Sequence, residues 1–102
     1  MTSYQPELQN DTEARGKTGK PPLYRVLLHN DDYTTMEFVI DILRKVFNKS
    51  PEAAETIMLN VHRQGMGVCG VFPYEIAETK VDQVHNLARQ NEFPLRCSME
   101  QE

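Results

Sequence analysis

Apolar residues recur with two different spacings along the chain, and the order of these spacings leaves few folds open to it. They alternate with polar residues over positions 24–29 and 95–99, the pattern of a strand with one buried face. In the first of these, Val26 and Leu28 share the predicted buried face and Leu27 lies on the opposite one. Residues 67–72 are short, apolar and spaced by glycines, which predicts a third strand. Between the strands, apolar residues recur every three or four positions, as in amphipathic helices.

Capping residues mark the start of the first helix. Thr34 is predicted to be its N-cap and Glu37 to complete a capping box. Tyr33 and Phe38 have the spacing of a hydrophobic staple. The apolar stripe predicts that this helix continues to about Asn48.

Proline and glycine delimit the other two helices. Ser50 is predicted to cap the second helix, with Pro51 in its first position and Gly65 at its end. Pro73 is predicted to open the third helix. The residues of this helix that are predicted to face inward are Ile76, Ala77, Val81, Val84 and Ala88.

The resulting order of elements is strand, helix, helix, strand, helix, strand, which predicts an α+β fold. In this two-layer sandwich, a three-stranded antiparallel sheet packs against three helices. The 102 residues have room for one domain, expected over residues 22–102. Residues 1–21 contain few apolar side chains, and the proline pair Pro21 and Pro22 marks their end as a stiff hinge, so they are predicted to be a flexible N-terminal tail.

Charge and cysteine content argue against several classes of protein. The net charge is −4 with scattered Lys and Arg, whereas a nucleic-acid surface needs a basic patch. No segment approaches the ~20 apolar residues of a membrane span, and the N-terminus lacks the apolar core of a signal peptide, which predicts a cytoplasmic protein. Cys69 and Cys97 are predicted to be free, buried thiols, and no zinc-ligand spacing is present. We therefore expect no metal and no cofactor.

Polar side chains lie next to apolar helix faces at two places. Asn30, Asp31 and Asp32 follow the first strand, and His62 lies one turn after Met58 near the end of the second helix. If the first two helices pack together, four apolar residues could line a hollow with these polar groups at its rim: Met36, Val39, Met58 and Val61. The plainer interpretation is an ordinary turn, a surface histidine and core packing. The spacing alone leaves both interpretations open.

Enzyme chemistry receives little support from the same residues. Asp31 and Asp32 are adjacent, so their carboxylates need not converge on one site as a general acid/base pair must. His62 has no evident nucleophile as a partner. A metal-dependent hydrolase built on His29, Asp31 and His62 would match no known ligand spacing. A binding protein without catalytic activity is the expectation.

Five segments together resemble a known family. Residues 24–39, YRVLLHNDDYTTMEFV, closely resemble the signature segment of ClpS adaptors. The other four segments resemble further family motifs: MLNVHRQG at 58–65, CGVF at 69–72, EIAETKV at 75–81 and PLRC at 94–97. The resemblance covers residues 22–99 in unbroken order. Thr35 stands where many members carry proline at the first helical position, and both residues suit that position.

The resemblance implies an adaptor that binds N-degron proteins by their first residue. Carried over by position, Asn30, Asp31 and His62 would bind the α-amino group, and Asp32 and Thr34 would support the site beside the first peptide unit. A pocket for a bulky first side chain (Phe, Tyr, Trp or Leu) would consist of Met36, Val39, Met58, Val61 and Leu95. Met36 would act as the gate of this pocket.

The resemblance also implies a partner. Glu75 and Lys80 match positions that dock onto the N-terminal domain of the ClpA unfoldase, although the related ClpC is also open. The tail is implied to be engaged by the unfoldase during delivery, and the adaptor is expected to be a monomer. An alternative is a ribosome- or translation-associated interaction module, because the family domain is similar in fold to the C-terminal domain of the ribosomal stalk protein.

Overall fold

A computed structural model describes residues 20–102, which form six elements in the predicted order. The elements are β1 (Leu23–His29), α1 (Met36–Lys45), α2 (Pro51–Gln64), β2 (Met66–Pro73), α3 (Tyr74–Gln90) and β3 (Arg96–Gln101). The α+β class with three helices and a three-stranded antiparallel sheet is thereby confirmed. The tail predicted over residues 1–21 falls almost entirely outside the described residues, so it stays a prediction.

The sheet has β1 at its centre, with β2 and β3 antiparallel on either side. Val26 and Leu28 on β1 are fully buried and belong to the main core, as predicted. Leu27, on the opposite face of β1, is only 5% exposed but is not part of that core cluster. The β1–β2 register shifts opposite Leu27, where Cys69 is the extra residue of a bulge.

The helices close the core on the inner face of the sheet. From α3, Ala77, Val84 and Ala88 are buried, as the periodicity predicts. Ile76 is 49% exposed, so its predicted inward position is wrong. The buried stripe passes through Ala77, and the adjacent residue on a helix points about 100° away from it. None of the helices within residues 20–102 is long and apolar enough to cross a membrane.

The first helix begins one residue later than predicted. Thr35 is the N-cap, because its side chain accepts a hydrogen bond from the Phe38 amide at 3.1 Å. Thr34, the predicted cap, instead donates its hydroxyl proton to the Asp31 carboxylate at 2.7 Å. The side-chain oxygen that accepts the capping bond is therefore that of Thr35, and the capping box predicted at Thr34 does not form.

The same helix also ends earlier than its apolar stripe predicts. It stops at Lys45 and not near Asn48, which has a φ of 56° in the left-handed region. Just beyond, the Lys49 amide donates to the Leu43 carbonyl at 3.1 Å, which satisfies an acceptor that the helix end would leave free. Asparagine is one of the few residues other than glycine that tolerate this conformation.

The boundaries predicted for α2 are confirmed at both ends. Ser50 accepts a hydrogen bond from the Ala53 amide at 3.1 Å, and Pro51 occupies the first helical position. Gly65 caps the C-terminus with a φ of 90°. Each of these features depends on the local residue alone, which explains why the sequence is sufficient to predict them.

We expect Gly65→Ala to lower the free energy of unfolding by about 1–2 kcal/mol, the cost of a left-handed residue with a β-carbon. Apart from its own chain neighbours, no residue within 20–102 comes within 4 Å of where that carbon would be, so the loss is conformational and not steric. Urea denaturation measures it. Gly65→Asn serves as the control and should retain most of the stability. Equal losses in both variants would contradict this explanation.

Both cysteines are free and buried, as predicted. Burial raises the pKa of the Cys97 thiol to about 12. Burial likewise raises the pKa of the Cys69 thiol far above its ordinary value. Thiolate is the reactive form of cysteine, so both side chains act as packing groups in the folded protein.

Candidate functional site

A cavity of about 250 Å³ opens between the end of β1, the start of α1 and the last turns of α2. Its lining consists of Asn30, Asp31, Asp32, Thr34, Met36, Val39, Met58, Val61 and His62. All nine were predicted to contact a bound peptide, and only one residue of that prediction is missing from the lining. The exception is Leu95, which is 3% exposed, packs in the core and is not part of the lining.

One backbone hydrogen bond joins the two halves of the polar rim. The Asn30 amide, just after β1, donates to the Gly65 carbonyl at the end of α2 over 2.9 Å. His62 lies in the last turn of α2, three residues before Gly65. The end of the strand is thereby fixed beside the helix end, and the Asn30 and His62 side chains reach the same cavity.

The apolar half of the cavity is continuous with the core. Val39, Met58 and Val61 are buried and belong to the main core cluster. Met36, in the first position of α1, is 44% exposed and lies at the mouth. The core-packing interpretation and the hollow interpretation are therefore both correct, because three of these side chains pack into the core and also line the cavity.

Asp31 organises the turn between β1 and α1. Its Oδ1 accepts hydrogen bonds from the Tyr33 amide at 2.8 Å and the Thr34 amide at 2.7 Å. Its Oδ2 accepts from the Thr34 hydroxyl at 2.7 Å. The ordinary-turn interpretation of this segment is therefore also correct. The same carboxylate lines the cavity, so it can serve the turn and the site together.

The charge of Asp31 is stabilised by these bonds. Burial on its own would raise the pKa of the carboxyl, but the hydrogen bonds from Thr34 and from the Tyr33 amide outweigh burial and lower the pKa below its ordinary value. The side chain therefore carries a negative charge at neutral pH. Within residues 20–102, the side chains of Asn30 and His62 form no hydrogen bond, so both remain available to a bound molecule.

The arrangement suits a cation with several hydrogen-bond donors and an attached apolar group. The carboxylate supplies charge, an amide oxygen and an imidazole nitrogen can supply further acceptors, and the apolar floor lies directly beside them. No group of three or more His, Cys, Asp or Glu side chains placed to hold a metal ion occurs among the described residues.

The two residues predicted to dock a partner lie on α3, away from the cavity. Glu75 is exposed in the first turn. The Lys80 ammonium group donates to the Val46 carbonyl at 2.7 Å and lies 5.7 Å from the centre of the Phe72 ring. Lys80 thus has a structural contact beyond the end of α1, which motif and periodicity do not predict.

Comparisons with known proteins identify the family to which the chain is similar. The family described as "ATP-dependent Clp protease adaptor protein ClpS" matches residues 19–98. A relative from Desulforapulum autotrophicum, the "ATP-dependent Clp protease adapter protein ClpS", is 55% identical, and the alignment covers the whole of both chains. The protein with the same description from Hyphomonas neptunium is 64% identical over 89% of this chain and 77% of the relative.

A solved structure resembles the fold closely. ClpS2 of Agrobacterium tumefaciens, bound to L-phenylalaninamide, superposes with a TM-score of 0.79. It is 41% identical in sequence, and the superposition covers 81% of this chain and 100% of that chain. Motifs, fold and sequence identity thus point the same way: this chain belongs to the ClpS family of ATP-dependent Clp protease adaptor proteins.

Proposed function

We propose that this protein binds the free α-amino group and the bulky first side chain (Phe, Tyr, Trp or Leu) of N-degron proteins. It then delivers them to the ClpA unfoldase, or the related ClpC, for degradation by the associated Clp protease. The observation that carries the proposal is a single cavity in which an ionised Asp31, Asn30 and His62 lie beside an apolar floor. The protein acts by recognition and needs no catalytic group.

The polar rim fits a protein's N-terminus better than any internal segment. A free α-amine has a pKa of ~7.7–8.0, so it is largely cationic at neutral pH and offers three protons. The Asp31 carboxylate pairs with the positive charge, and Asn30 and His62 accept hydrogen bonds from the remaining N–H groups. An internal peptide nitrogen offers one proton and no charge. Internal segments are therefore rejected.

The apolar floor explains the preference for bulky residues. L-phenylalaninamide, the molecule bound to the Agrobacterium protein, has a free α-amine and a benzyl side chain, which are the two groups this cavity suits. Asp32 and Thr34 are proposed to support the first peptide unit beside them. Met36 at the mouth is proposed to act as the gate, where branching at the β-carbon of Val or Ile would crowd it.

Fluorescence anisotropy with labelled peptides tests the proposal. A peptide that begins with Phe or Leu and has a free amine should bind, and its N-acetylated form should bind at least about 100-fold more weakly, because two or more charge-assisted hydrogen bonds are lost. An Ile-starting peptide with a free amine is the control for the side chain. Equal binding of the free and acetylated peptides would rule out recognition of the amine.

Affinity should fall on the alkaline side of neutral pH. Asp31 stays ionised there because its pKa is lowered. Above pH ~8 the amine loses its proton, and with it the charge that Asp31 is proposed to bind, so affinity should fall. The measurement is a series of anisotropy titrations from pH 5 to 9.

The role of His62 as an acceptor is tested by substitution at constant pH. His62→Ala removes the acceptor and should weaken binding of a free-amine peptide, whereas His62→Gln keeps an acceptor oxygen and should weaken it less. Wild-type affinity in His62→Ala would contradict the proposed role of His62.

Docking on the unfoldase is proposed to use Glu75 and Lys80. We expect Glu75→Ala to weaken binding to the ClpA N-terminal domain without changing peptide affinity. Stability should change by less than about 0.5 kcal/mol, since Glu75 is exposed. Glu78→Ala, at an exposed glutamate of the same helix, is the matched control. Surface plasmon resonance against the isolated domain measures the effect, and equal weakening by both variants would contradict a specific role for Glu75.

Lys80 requires a separate variant because it also contacts Val46. Lys80→Met keeps the apolar stem but loses the hydrogen bond to the Val46 carbonyl. We expect weaker docking together with a loss of roughly 1 kcal/mol in the free energy of unfolding. Unchanged docking in a variant that remains folded would remove Lys80 from the proposed interface.

A further inference from the structure

The hydrogen bonds to Asp31 leave little of its carboxylate free. A carboxylate has about four acceptor sites on its two oxygens. The amides of Tyr33 and Thr34 occupy both sites on Oδ1, and the Thr34 hydroxyl occupies one on Oδ2. A single site on Oδ2 remains for any bound molecule. The direction in which this remaining acceptor site points is set by the group that holds Oδ2 in place.

That group is a side chain, whereas the two bonds to Oδ1 come from the backbone. The backbone bonds form with any acceptor oxygen at position 31, because they belong to the turn. The Thr34 hydroxyl is the one contact to Oδ2 among the described residues, and it is 2.7 Å long. Thr34 and Asp31 both line the cavity, so this contact lies at the site itself.

We infer that Thr34 is a positioning residue, whose hydroxyl holds Oδ2 of Asp31 so that its remaining acceptor site is available to an ammonium group in the cavity. The inference rests on the proposed function, since it assumes that an amine is the group bound. It also limits what Thr34 itself does. With its proton committed to Asp31, the hydroxyl can only accept a hydrogen bond from a bound peptide.

The electrostatics of Asp31 agree with this role. Burial is the largest influence on the pKa of the Asp31 carboxyl and raises it. Among the hydrogen bonds that lower the pKa, the one from the Thr34 hydroxyl has the largest effect on it. Loss of that hydroxyl should therefore raise the pKa of Asp31, an effect that a purely steric role of the threonine side chain would not produce.

Two variants and two peptides test the inference. Thr34→Val removes the hydroxyl and keeps the branched shape, and Thr34→Ser keeps the hydroxyl. The peptides are a Phe-starting peptide and its analogue with hydrogen in place of the amine. Thr34→Val should weaken binding of the free-amine peptide about tenfold more than it weakens binding of the analogue, as expected for a weakened charge-assisted bond, because any contact of the hydroxyl with the peptide is lost for both. Thr34→Ser should bind both peptides as the wild type does.

The second readout is the pH titration of the Asp31 carboxyl carbon by NMR, without peptide. The titration should move to higher pH in Thr34→Val and return in Thr34→Ser. Should the valine variant not fold, Thr34→Ala removes the same hydroxyl without the branch and replaces it in both measurements.

Two results would overturn the inference. One is wild-type affinity and an unshifted Asp31 titration in Thr34→Val, and the other is equal weakening for both peptides, which would indicate a general structural role. Failure of the proposed function looks different: the wild-type protein itself would not distinguish the two peptides, while the Asp31 titration would still report whether the hydroxyl holds the carboxylate.

Discussion

Replacing Asp31 by asparagine is expected to weaken binding of a free-amine peptide by roughly 10- to 100-fold, the range expected for one hydrogen bond to a charged group. Asparagine has nearly the same shape, and its carbonyl oxygen can accept the bonds that the Tyr33 and Thr34 amides now donate to Oδ1. The Thr34 hydroxyl can reverse its role and accept from the new amide group. The turn is therefore retained while the negative charge is lost.

Alanine at the same position would be less informative. Asp31→Ala removes the charge and also all three hydrogen bonds that fix the turn, so a loss of binding could come from either cause. Glu37→Gln is the matched control for charge, because Glu37 is an exposed carboxylate in the first turn of α1 outside the cavity. It should change the affinity by less than about threefold, since exposed charges are screened by solvent.

Anisotropy titrations at pH 7.5, with thermal melting as a check on folding, measure the effect. The weakening should be confined to peptides with a free amine, and the residual binding of an acetylated peptide should not change. If Asp31→Asn bound as tightly as the wild type, the charge at the rim would not be what recognises the N-terminus.

Elements whose boundaries depend on local residues were predictable from the sequence. Ser50, Pro51 and Gly65 define α2 almost independently of the rest of the chain. The start of α1 could not be predicted in this way, because Thr34 and Thr35 both have the properties of an N-cap. In the structure Thr35 accepts the capping bond from the Phe38 amide, while the Thr34 side chain lies against Asp31 in the turn and donates to its carboxylate. That contact is set by the path of the chain after β1, which periodicity does not describe.

The residues of the site could be predicted from the sequence, but the shape of the site could not. Polar residues next to apolar stripes mark Asn30, Asp31 and His62 as candidates, and the family motifs agree with that choice. Whether α1 and α2 pack closely or leave a space depends on the distance between them, which spacing alone cannot give. Leu95 shows the same limit, because its position in the motif does not reveal that it is buried in the core without lining the cavity.

Filling the cavity gives the other large expected effect. Val39 is buried, lines the floor and belongs to α1. In Val39→Phe, the new ring should occupy the space proposed for the peptide's first side chain. The affinity for Phe- and Trp-starting peptides should then fall by roughly 10- to 100-fold, which corresponds to the ~1.5–3 kcal/mol gained by burying one large apolar side chain.

Stability distinguishes this effect from simple overpacking. A larger side chain forced into a filled core costs about 1–3 kcal/mol, but a side chain that enters an existing space of about 250 Å³ should cost less than that. Ile40→Phe is the matched control, since Ile40 is on the same helix, is partly buried and does not line the cavity. It should leave peptide binding within about twofold of the wild type, because surfaces outside the cavity contribute little.

A graded series makes the test sharper. As the side chain at position 39 grows from Val to Ile, Leu and Phe, affinity should be lost first for Trp-starting peptides, then for Phe and last for Leu, since the smallest first side chain needs the least space. Binding through the amine alone would weaken all three peptides equally or not at all. A folded Val39→Phe variant with wild-type affinity for all three would show that the first side chain is accommodated elsewhere, even if recognition of the amine by Asp31 were sound.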